Sequence, residues 1–241
     1  MISFWQYLRK TKELNKGLSN ISLFEHWKIY KEWKNLFESK QFPLYFELPW
    51  VTILSKNFLK KFLKKKDKNQ NRIFEFGSGG SSLFFLKYAT EVVTVEHDRD
   101  WFSLVEKTIR DRKIEGWNGN LLEPEKIGNN QLNRSEPLDY YTDDENFKNY
   151  QFKRYASFID NYPNNYFDVV LVDGRSRPSC LYHSFSKVKI GGLLVIDNAE
   201  RDYYFTKQKV NKEEFELVLN ANSALICASV FTQTNIYIKK K

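Results

Sequence analysis

Length, composition and charge narrow the class of protein. With 241 residues, 41% of them hydrophobic, the chain can bury one sizeable core, so we expect one catalytic-size domain. The net charge of +8 would suit an anionic partner, but lysines are spread along the whole chain, which favours an ordinary solvated surface. Cys180 and Cys227 have no metal-ligand spacing, which argues against a zinc site or a disulfide framework.

The sequence contains no recognisable membrane or export segment. No apolar run approaches the roughly 18 residues that cross a bilayer. The first residues also lack the basic-then-apolar order of a secretion signal. We therefore expect a soluble, cytoplasmic protein without a membrane span.

Residues 1–70 predict a helical extension. Apolar residues recur at helical spacing in two stripes that end at Pro43. The residues of these stripes are Phe4, Leu8, Leu23, Trp27, Tyr30, Trp33 and Leu36. A third helix is expected from Pro49, because proline suits a first helical turn. We predict that this extension either caps the acceptor site or forms the face of a homodimer.

Residues 71–241 predict the catalytic domain. Short apolar strands alternate with helices there, which is typical of a mostly parallel sheet covered on both faces. The predicted strands are 72–76, 91–96, 117–122, 167–173 and 193–197. Two more strands, 224–231 and 235–239, are separated by three residues and predict an antiparallel hairpin. Residues 127–150 lack periodicity and predict either a lid over a site or a disordered excursion.

A glycine-rich turn is the first candidate site. Gly77, Gly79 and Gly80 follow an apolar strand and precede a predicted helix, a pattern that lets a ligand approach the backbone. Glu96 ends the next predicted strand, about twenty residues on, where a carboxylate accepts hydrogen bonds from ribose hydroxyls. The pattern indicates a nucleotide-like cofactor.

Two departures argue against a nicotinamide dinucleotide. Ser82 stands where the third glycine of that motif would fall, and Glu75 places a carboxylate where a pyrophosphate would be repelled. An amino acid's ammonium group would be attracted there instead. S-adenosylmethionine has an ammonium, a ribose and a sulfonium but no phosphate, so it fits this pattern better.

The motifs resemble those of class I S-adenosylmethionine-dependent methyltransferases over residues 72–239. They are Glu75-x-Gly-x-Gly-Gly, the acid at Glu96, Val172-Asp173-Gly, and Gly191-Gly followed by Asp197-Asn198. The resemblance implies a Rossmann-like, doubly wound α/β fold with three α/β/α layers. It also implies a seven-stranded, mostly parallel sheet whose last strand is antiparallel. The N-terminal helices carry no signature of this family.

The resemblance implies a donor site and a reaction centre. The residues expected to bind S-adenosylmethionine are Glu75, Gly77, Ser78, Gly79, Ser81, Ser82, Glu96, His97 and Asp173. The residues expected at the reaction centre are Asp173, Asp197, Asn198 and Arg175. Trp101 is expected either to shelter the adenine or to pack in the core. A general base is expected at His97 or His183, with an ordinary packing role as the alternative.

The aspartates also resemble those of catechol-type O-methyltransferases. In those enzymes the corresponding residues hold Mg²⁺ or Ca²⁺, so Asp173, Asp197 and Asn198 are expected to ligate such an ion. The chain departs from that group at Ser176, where the catechol-type enzymes have a lysine thought to act as base.

A less studied group of bacterial methyltransferases is a closer match. It has the motifs Gly-Ser-Gly-Gly-Ser, Glu-His-Asp, Val-Asp-Gly-Arg and Asp-Asn-Ala-Glu-Arg, all present here. Three arginines near the second pair of motifs are candidates to bind an acidic or phosphorylated acceptor, or to form ion pairs that fix the loops. They are Arg175, Arg177 and Arg201, with Asp168, Glu200 and Asp202 as the alternative partners.

The function predicted from the sequence is methyl transfer to an oxygen of a small-molecule or sugar-like acceptor. A nucleic-acid methyltransferase is one alternative, although the Asn/Asp-Pro-Pro-aromatic motif of adenine amino methyltransferases is missing after Leu171. A protein that binds S-adenosylmethionine without catalysis is another alternative. An NAD oxidoreductase is disfavoured by Glu75 and Ser82.

Overall fold

The computed structural model describes residues 2–14, 21–128 and 131–241. Eight α-helices occur within these ranges. Their bounds are α1 Phe4–Leu14, α2 Leu23–Glu38, α3 Pro43–Phe46, α4 Ile53–Leu63, α5 Gly80–Leu86, α6 Arg99–Asp111, α7 Lys153–Ser157 and α8 Arg177–Ser184. Among them, none combines the length and apolar content needed to span a bilayer.

Seven strands form one sheet, and two short strands form a separate ribbon. Their bounds are β1 Arg72–Phe76, β2 Glu91–Glu96, β3 Trp117–Leu121, β4 Glu125–Lys126, β5 Tyr150–Gln151, β6 Phe167–Val172, β7 Val188–Asp197, β8 Phe215–Ala224 and β9 Phe231–Lys239. The sheet order is β3-β2-β1-β6-β7-β9-β8, and only β9 runs antiparallel to its neighbours. The predicted fold class is therefore confirmed.

Both faces of the sheet are covered because its strands alternate between two cores. Phe74 and Phe76 pack with Tyr155 of α7 and with α8, whereas Ile73 packs with Leu59 of α4 and with α5 and α6. Burial on both faces explains why β1, β2 and β6 are nearly continuous apolar runs. This arrangement directs the carboxyl ends of the parallel strands to one edge.

The C-terminal hairpin differs from the prediction. Its first strand is β8, while residues 225–230, predicted as part of that strand, form the connection to β9. The apolar residue Ile226 is buried in this connection against Tyr7 and Trp33 of the N-terminal helices. Residue 226 is apolar because it packs against the N-terminal helices, and this made residues 225–230 look like a strand in the sequence.

Helix α4 begins later than predicted, at Ile53 rather than Pro49. Thr52 is its N-cap residue and also forms an isolated antiparallel bridge with Leu225. The segment from Pro49 is therefore held extended by the hairpin connection and cannot enter the helix. Pro43, where a helix was expected to end, instead occupies the first turn of α3.

Candidate active site

A glycine turn follows β1. Gly77 and Gly79 have φ angles of +102° and +151°, which residues with a side chain rarely adopt. A Cβ at Gly79 would lie 3.3 Å from the Trp101 ring. Trp101 Nε1 donates to Ser78 O over 2.7 Å and so holds the turn. The turn therefore presents backbone to any ligand in front of it.

Glu75 lies fully buried behind this turn. Its Oε1 accepts from Thr94 Oγ1 over 2.8 Å and from Ser82 Oγ, which itself accepts from Gly79 N over 3.1 Å. Its Oε2 is buried and has no hydrogen bond of good geometry among the described residues. Burial raises the pKa of Glu75 to about 7, although the Ser82 and Ser81 hydroxyls oppose the shift. Ser82 thus ties the turn to Glu75.

Glu96 ends β2 and is 3% exposed. Its Oε2 accepts from Ser78 N over 2.9 Å and Ser78 Oγ over 3.0 Å, and its Oε1 accepts from His97 N over 2.7 Å and Asp98 N over 3.0 Å. Burial by itself raises the pKa of Glu96, but hydrogen bonds and charge from His97, with the Asp98 amide, hold it below its usual range. The predicted ribose acceptor is thus ionised and already fully hydrogen-bonded.

These residues border a cleft of about 470 Å³ at the carboxyl edge of the sheet. Its glycine-turn side comprises residues 77–81, 96–98 and Trp101, and its aspartate side comprises residues 173–175, 177, 197 and 198. The predicted donor residues that line it are Gly77, Ser78, Gly79, Ser81, Glu96, His97 and Asp173. The cleft lies where the strand order reverses between β1 and β6, the usual ligand position in open α/β sheets.

The N-terminal extension, for which a cap was one of the two predicted roles, supplies a third wall, whose residues were not among the predicted site residues. Phe42, Pro43 and Trp50 line the cleft. A Cβ added to Gly80 would lie 2.2 Å from Leu48 O and 2.6 Å from Pro43 O, so this glycine lets the extension approach α5. The sequence signal for this contact is Gly80, a third glycine next to Gly77 and Gly79, whose positive φ angles the turn itself requires.

Two carboxyl groups form the aspartate side. Asp197 is 2% exposed, and its Oδ1 accepts from Thr234 Oγ1 over 2.7 Å. Burial, followed by the charge of Asp197, raises the pKa of Asp173, and burial also raises the pKa of Asp197. The Arg177 guanidinium opposes both shifts. Because neighbouring carboxylates repel, the pair retains a proton to higher pH than two separate acids would.

Arg177 lies between these carboxyl groups and uses all of its donors. Its Nε donates to Gly174 O over 3.0 Å, and its Nη2 donates to Asp173 O over 2.9 Å and Asp173 Oδ1 over 3.0 Å. Its Nη1 donates to Asp197 O over 2.6 Å and to Asn198 Oδ1 over 3.0 Å. A guanidinium has five donors, so Arg177 has none left for an acceptor. It joins the loops after β6 and β7.

The predicted Mg²⁺ or Ca²⁺ ligands do not fit a metal ion. Asp173 Oδ1 and Asn198 Oδ1 accept from Arg177, whose Nη1 is also 3.7 Å from Asp197 Oδ2. Asp197 Oδ1 accepts from Thr234. A guanidinium therefore already engages the side chains that were expected to ligate an ion. Within the described ranges, no three His, Cys, Asp or Glu side chains converge as a metal cluster.

The other arginines and His183 have different surroundings. Arg175 Nη2 lies 3.3 Å from Asp144 Oδ2, and Arg201 Nη1 donates to Tyr204 Oη over 3.4 Å. Asp168 pairs with Lys66 and Lys189, and Glu200 accepts from Thr232 and Gln233, so the anticipated arginine pairs with these acids do not form. His183 Nδ1 lies 2.6 Å from Asp160 Oδ2, outside the cleft.

The predicted loop 127–150, described except for residues 129 and 130, packs against the site. Phe147 contacts the His97 ring with a centroid separation of 5.3 Å. Residues 141–144 border a second cavity beside Arg175. Of the two alternatives, the described part of this loop matches a cover over the site.

Structural comparison finds the same fold in known proteins. SMU.1697c of Streptococcus mutans, assigned as a methyltransferase and solved with SAH, aligns with a TM-score of 0.51 and 12% identity over 76% of this chain and 96% of that chain. The yhhF protein of Escherichia coli, also assigned as a methyltransferase, gives 0.50 and 14% over 80% of this chain and 90% of its own.

The superpositions show a shared fold, and identities this low leave the acceptor open. No protein-family model and no curated protein matches the chain. A function must therefore be inferred from the cleft itself.

Proposed function

We propose that the protein transfers a methyl group from S-adenosylmethionine to an oxygen of a small-molecule acceptor. The observation that carries this proposal is the meeting, in one cleft, of a bare glycine turn, the ionised Glu96 and the Asp173–Asp197 pair. The fold shared with SMU.1697c, which was solved with SAH, supports the donor assignment.

The glycine-turn side would hold the donor. Glu96 would accept from the ribose hydroxyls, and the backbone of Gly77 and Gly79 would allow close approach. Glu75, whose buried Oε2 lacks a well-formed hydrogen bond, would attract the ammonium group. His97 and Trp101 border the same space and would contact the adenine. Residues 1–70 would act as a cap, since Phe42 and Trp50 close the cleft.

Donor binding requires one change in this structure. The carboxylate of Glu96 accepts four hydrogen bonds, three from backbone amides and one from the Ser78 hydroxyl. A carboxylate has about four acceptor positions. The Ser78 hydroxyl is the donor that can rotate away, so a ribose hydroxyl would take its place.

The aspartate side would carry the reaction. S-adenosylmethionine, when bound, supplies an electrophilic methyl group. Asp173 would accept the proton of the acceptor hydroxyl, since its raised pKa brings it closer to the range of an effective base. Arg177 would hold Asp173 and Asn198 in place and balance the charge on the carboxyl pair. Arg175 would contact the acceptor from the adjoining loop. The proposal requires no divalent cation.

Isothermal titration with S-adenosylhomocysteine tests the donor half. Glu96→Ala should weaken binding by about 10-fold or more, because hydrogen bonds to an ionised acceptor contribute about 1.5–3 kcal/mol each. Glu106→Ala removes an exposed carboxylate on α6 and is the matched control. If the wild-type protein does not bind S-adenosylhomocysteine and Glu96→Ala changes nothing, the proposal is wrong.

Transfer of a tritiated methyl group tests the reaction. Asp173→Asn should abolish transfer to a small-molecule extract and keep affinity for S-adenosylhomocysteine within about 3-fold, because Asn preserves the shape of the side chain. Label in RNA would instead indicate the nucleic-acid alternative. Tight donor binding without label in any fraction would indicate a non-catalytic binding protein.

A further inference from the structure

A second cavity of about 440 Å³ adjoins the cleft. The two cavities share Gly174, Arg175, Arg177 and Asn198. A molecule bound in the second cavity can therefore reach the aspartate side without crossing the glycine-turn side. The second cavity has the position expected for an acceptor.

The carboxylates facing this cavity already have cationic partners. Asp143 pairs with Arg134, and Asp144 lies 3.3 Å from Arg175. Asp173 and Asp197 do not line this cavity, and Arg177, which does, lies 3.0 and 3.7 Å from their oxygens. These anions leave little negative charge to repel an anionic ligand.

Arg201 differs from Arg175 and Arg177, the other arginines on the cavity wall, which are both paired with carboxylates. Among the described residues, no carboxylate oxygen lies within salt-bridge distance of its guanidinium, whose polar neighbours are the Tyr204 hydroxyl, at 3.4 Å, and the Tyr203 hydroxyl. The neighbouring Glu200 is turned away, because its carboxylate accepts from Thr232 Oγ1 and from Gln233 N, each over 3.0 Å.

The backbone fixes the position of Arg201 relative to the reaction centre. Arg201 N donates to Asn198 O over 3.2 Å, and Tyr204 N donates to Arg201 O over 3.1 Å. Arg201 therefore lies one tight turn beyond Asn198. Arg175 also lines the cavity, and its buried Nε lacks a hydrogen-bond acceptor among the described residues.

We propose that this cavity binds an anionic oxygen group, a carboxylate or a phosphate ester, on the acceptor, and that Arg201 is its main partner, with Arg175 as the second. Guanidinium groups bind such anions in a bidentate manner, which fixes orientation as well as position. The inference depends on the proposed methyl transfer for its biological meaning. It names the acceptor as a small acid whose hydroxyl reaches Asp173.

The first experiment uses inorganic phosphate and acetate as probes. Each is titrated into ¹⁵N-labelled protein, with and without S-adenosylhomocysteine, and the amide shifts of residues 198–204 are followed. We expect saturable shifts in that segment, and about 10-fold weaker binding in Arg201→Gln because one charge-assisted contact is lost. Arg110→Gln removes an exposed arginine on α6 and should match the wild type. Equal binding by Arg201→Gln overturns the site.

The second experiment identifies the acceptor by charge. A small-molecule extract is separated by anion exchange, and each fraction is incubated with protein and methyl-labelled S-adenosylmethionine. We expect label in anionic fractions, with an acceptor KM raised about 10-fold in Arg201→Gln and kcat within about 3-fold. A change in kcat alone would assign Arg201 a merely structural role and overturn the inference.

The two proposals fail in different ways. Label only in neutral compounds overturns the acidic acceptor and leaves methyl transfer intact. Label only in RNA overturns the small acceptor, because the anion would then be a nucleic-acid phosphate. The absence of label in every fraction overturns the proposed methyl transfer, while the phosphate titration still decides whether the cavity binds anions.

Discussion

The two sides of the cleft are built differently. On the glycine-turn side, backbone amides of Ser78, His97 and Asp98 converge on one ionised carboxylate. On the aspartate side, charged side chains from separate loops neutralise one another around Arg177. Two short motifs within one βαβ unit are enough for the first side, whereas the second depends on tertiary placement. We therefore expect substitutions to separate donor binding from methyl transfer.

The largest effect is expected from Arg177→Met. Removing one partner of a buried ionic cluster costs about 3–5 kcal/mol of unfolding free energy. Methyl transfer should fall by about 100-fold or more, because the loops after β6 and β7 lose their common donor. Affinity for S-adenosylhomocysteine in the folded fraction should change little.

Arg177→Lys is a second variant, which keeps the test valid if Arg177→Met partly unfolds. It keeps the charge but offers three donors in place of five, so transfer should recover only in part. Circular dichroism melting and the tritium assay measure the two effects. If Arg177→Met transferred methyl groups at the wild-type rate, the aspartate side would not depend on Arg177, and the contrast between the two sides of the cleft would be wrong.

Gly80→Ala should cost about 3 kcal/mol of unfolding free energy, because its Cβ would meet backbone oxygens that cannot rotate away. Gly128→Ala is the control, since a Cβ there meets nothing within 4 Å. Urea unfolding measures both variants. Donor affinity should also fall in Gly80→Ala, since the extension forms one wall of the cleft. Equal stability of the two variants would contradict the close approach of the extension to α5.

Glu75→Gln should stabilise the protein while weakening donor binding. The pKa of Glu75 is raised to about 7, so the folded state holds a proton that the unfolded state releases at lower pH. The free energy of unfolding therefore falls as pH rises from about 4.5 to about 7. Above that range it stays at the lower level, because the buried carboxylate remains charged. Glutamine removes this dependence.

We expect a gain of about 2 kcal/mol for Glu75→Gln near pH 8 and almost none near pH 5. Donor affinity near pH 8 should fall by about 10-fold, since the ammonium group loses its carboxylate. Urea titrations at several pH values and isothermal titration measure these effects. A stability difference that is constant with pH would contradict the assignment of the shift to Glu75.

The smallest expected effect is that of a chelator. Because Arg177 already engages the side chains that a metal would need, EDTA should change methyl transfer by less than about 2-fold, and added Mg²⁺ should not increase it. The tritium assay with and without EDTA measures this. A loss of activity that Mg²⁺ restores would show that the aspartate side rearranges around a metal.

The sequence predicted the elements whose signals are local. Strands β1 and β2 match their predicted bounds, because short apolar runs end at glycine or charged residues there. Glu75, Gly77 and Glu96 are predicted as site residues for the same reason, since strand, turn and acid lie within one βαβ unit. Ser82 stands where the sequence lacks a glycine, and the structure adds its contact with Glu75.

Other features could not be predicted because they depend on distant contacts. Arg177 was considered for acceptor binding, but its five acceptors come from two strand ends that only the folded sheet brings together. To predict that Phe42 and Trp50 line the cleft, one would have to know that Gly80 faces the extension. The predicted bounds of the hairpin are wrong because Ile226 is apolar to pack against the N-terminal helices and not to form a strand.

The hydroxyl of Ser78 occupies the position on Glu96 that a ribose hydroxyl would take. Because Oε2 of Glu96 already accepts from this hydroxyl, a ribose would exchange one hydroxyl donor for another, and the gain in affinity from that oxygen is smaller than that of a newly formed hydrogen bond. Ser78→Ala should therefore tighten donor binding by exposing the acceptor that the serine now satisfies.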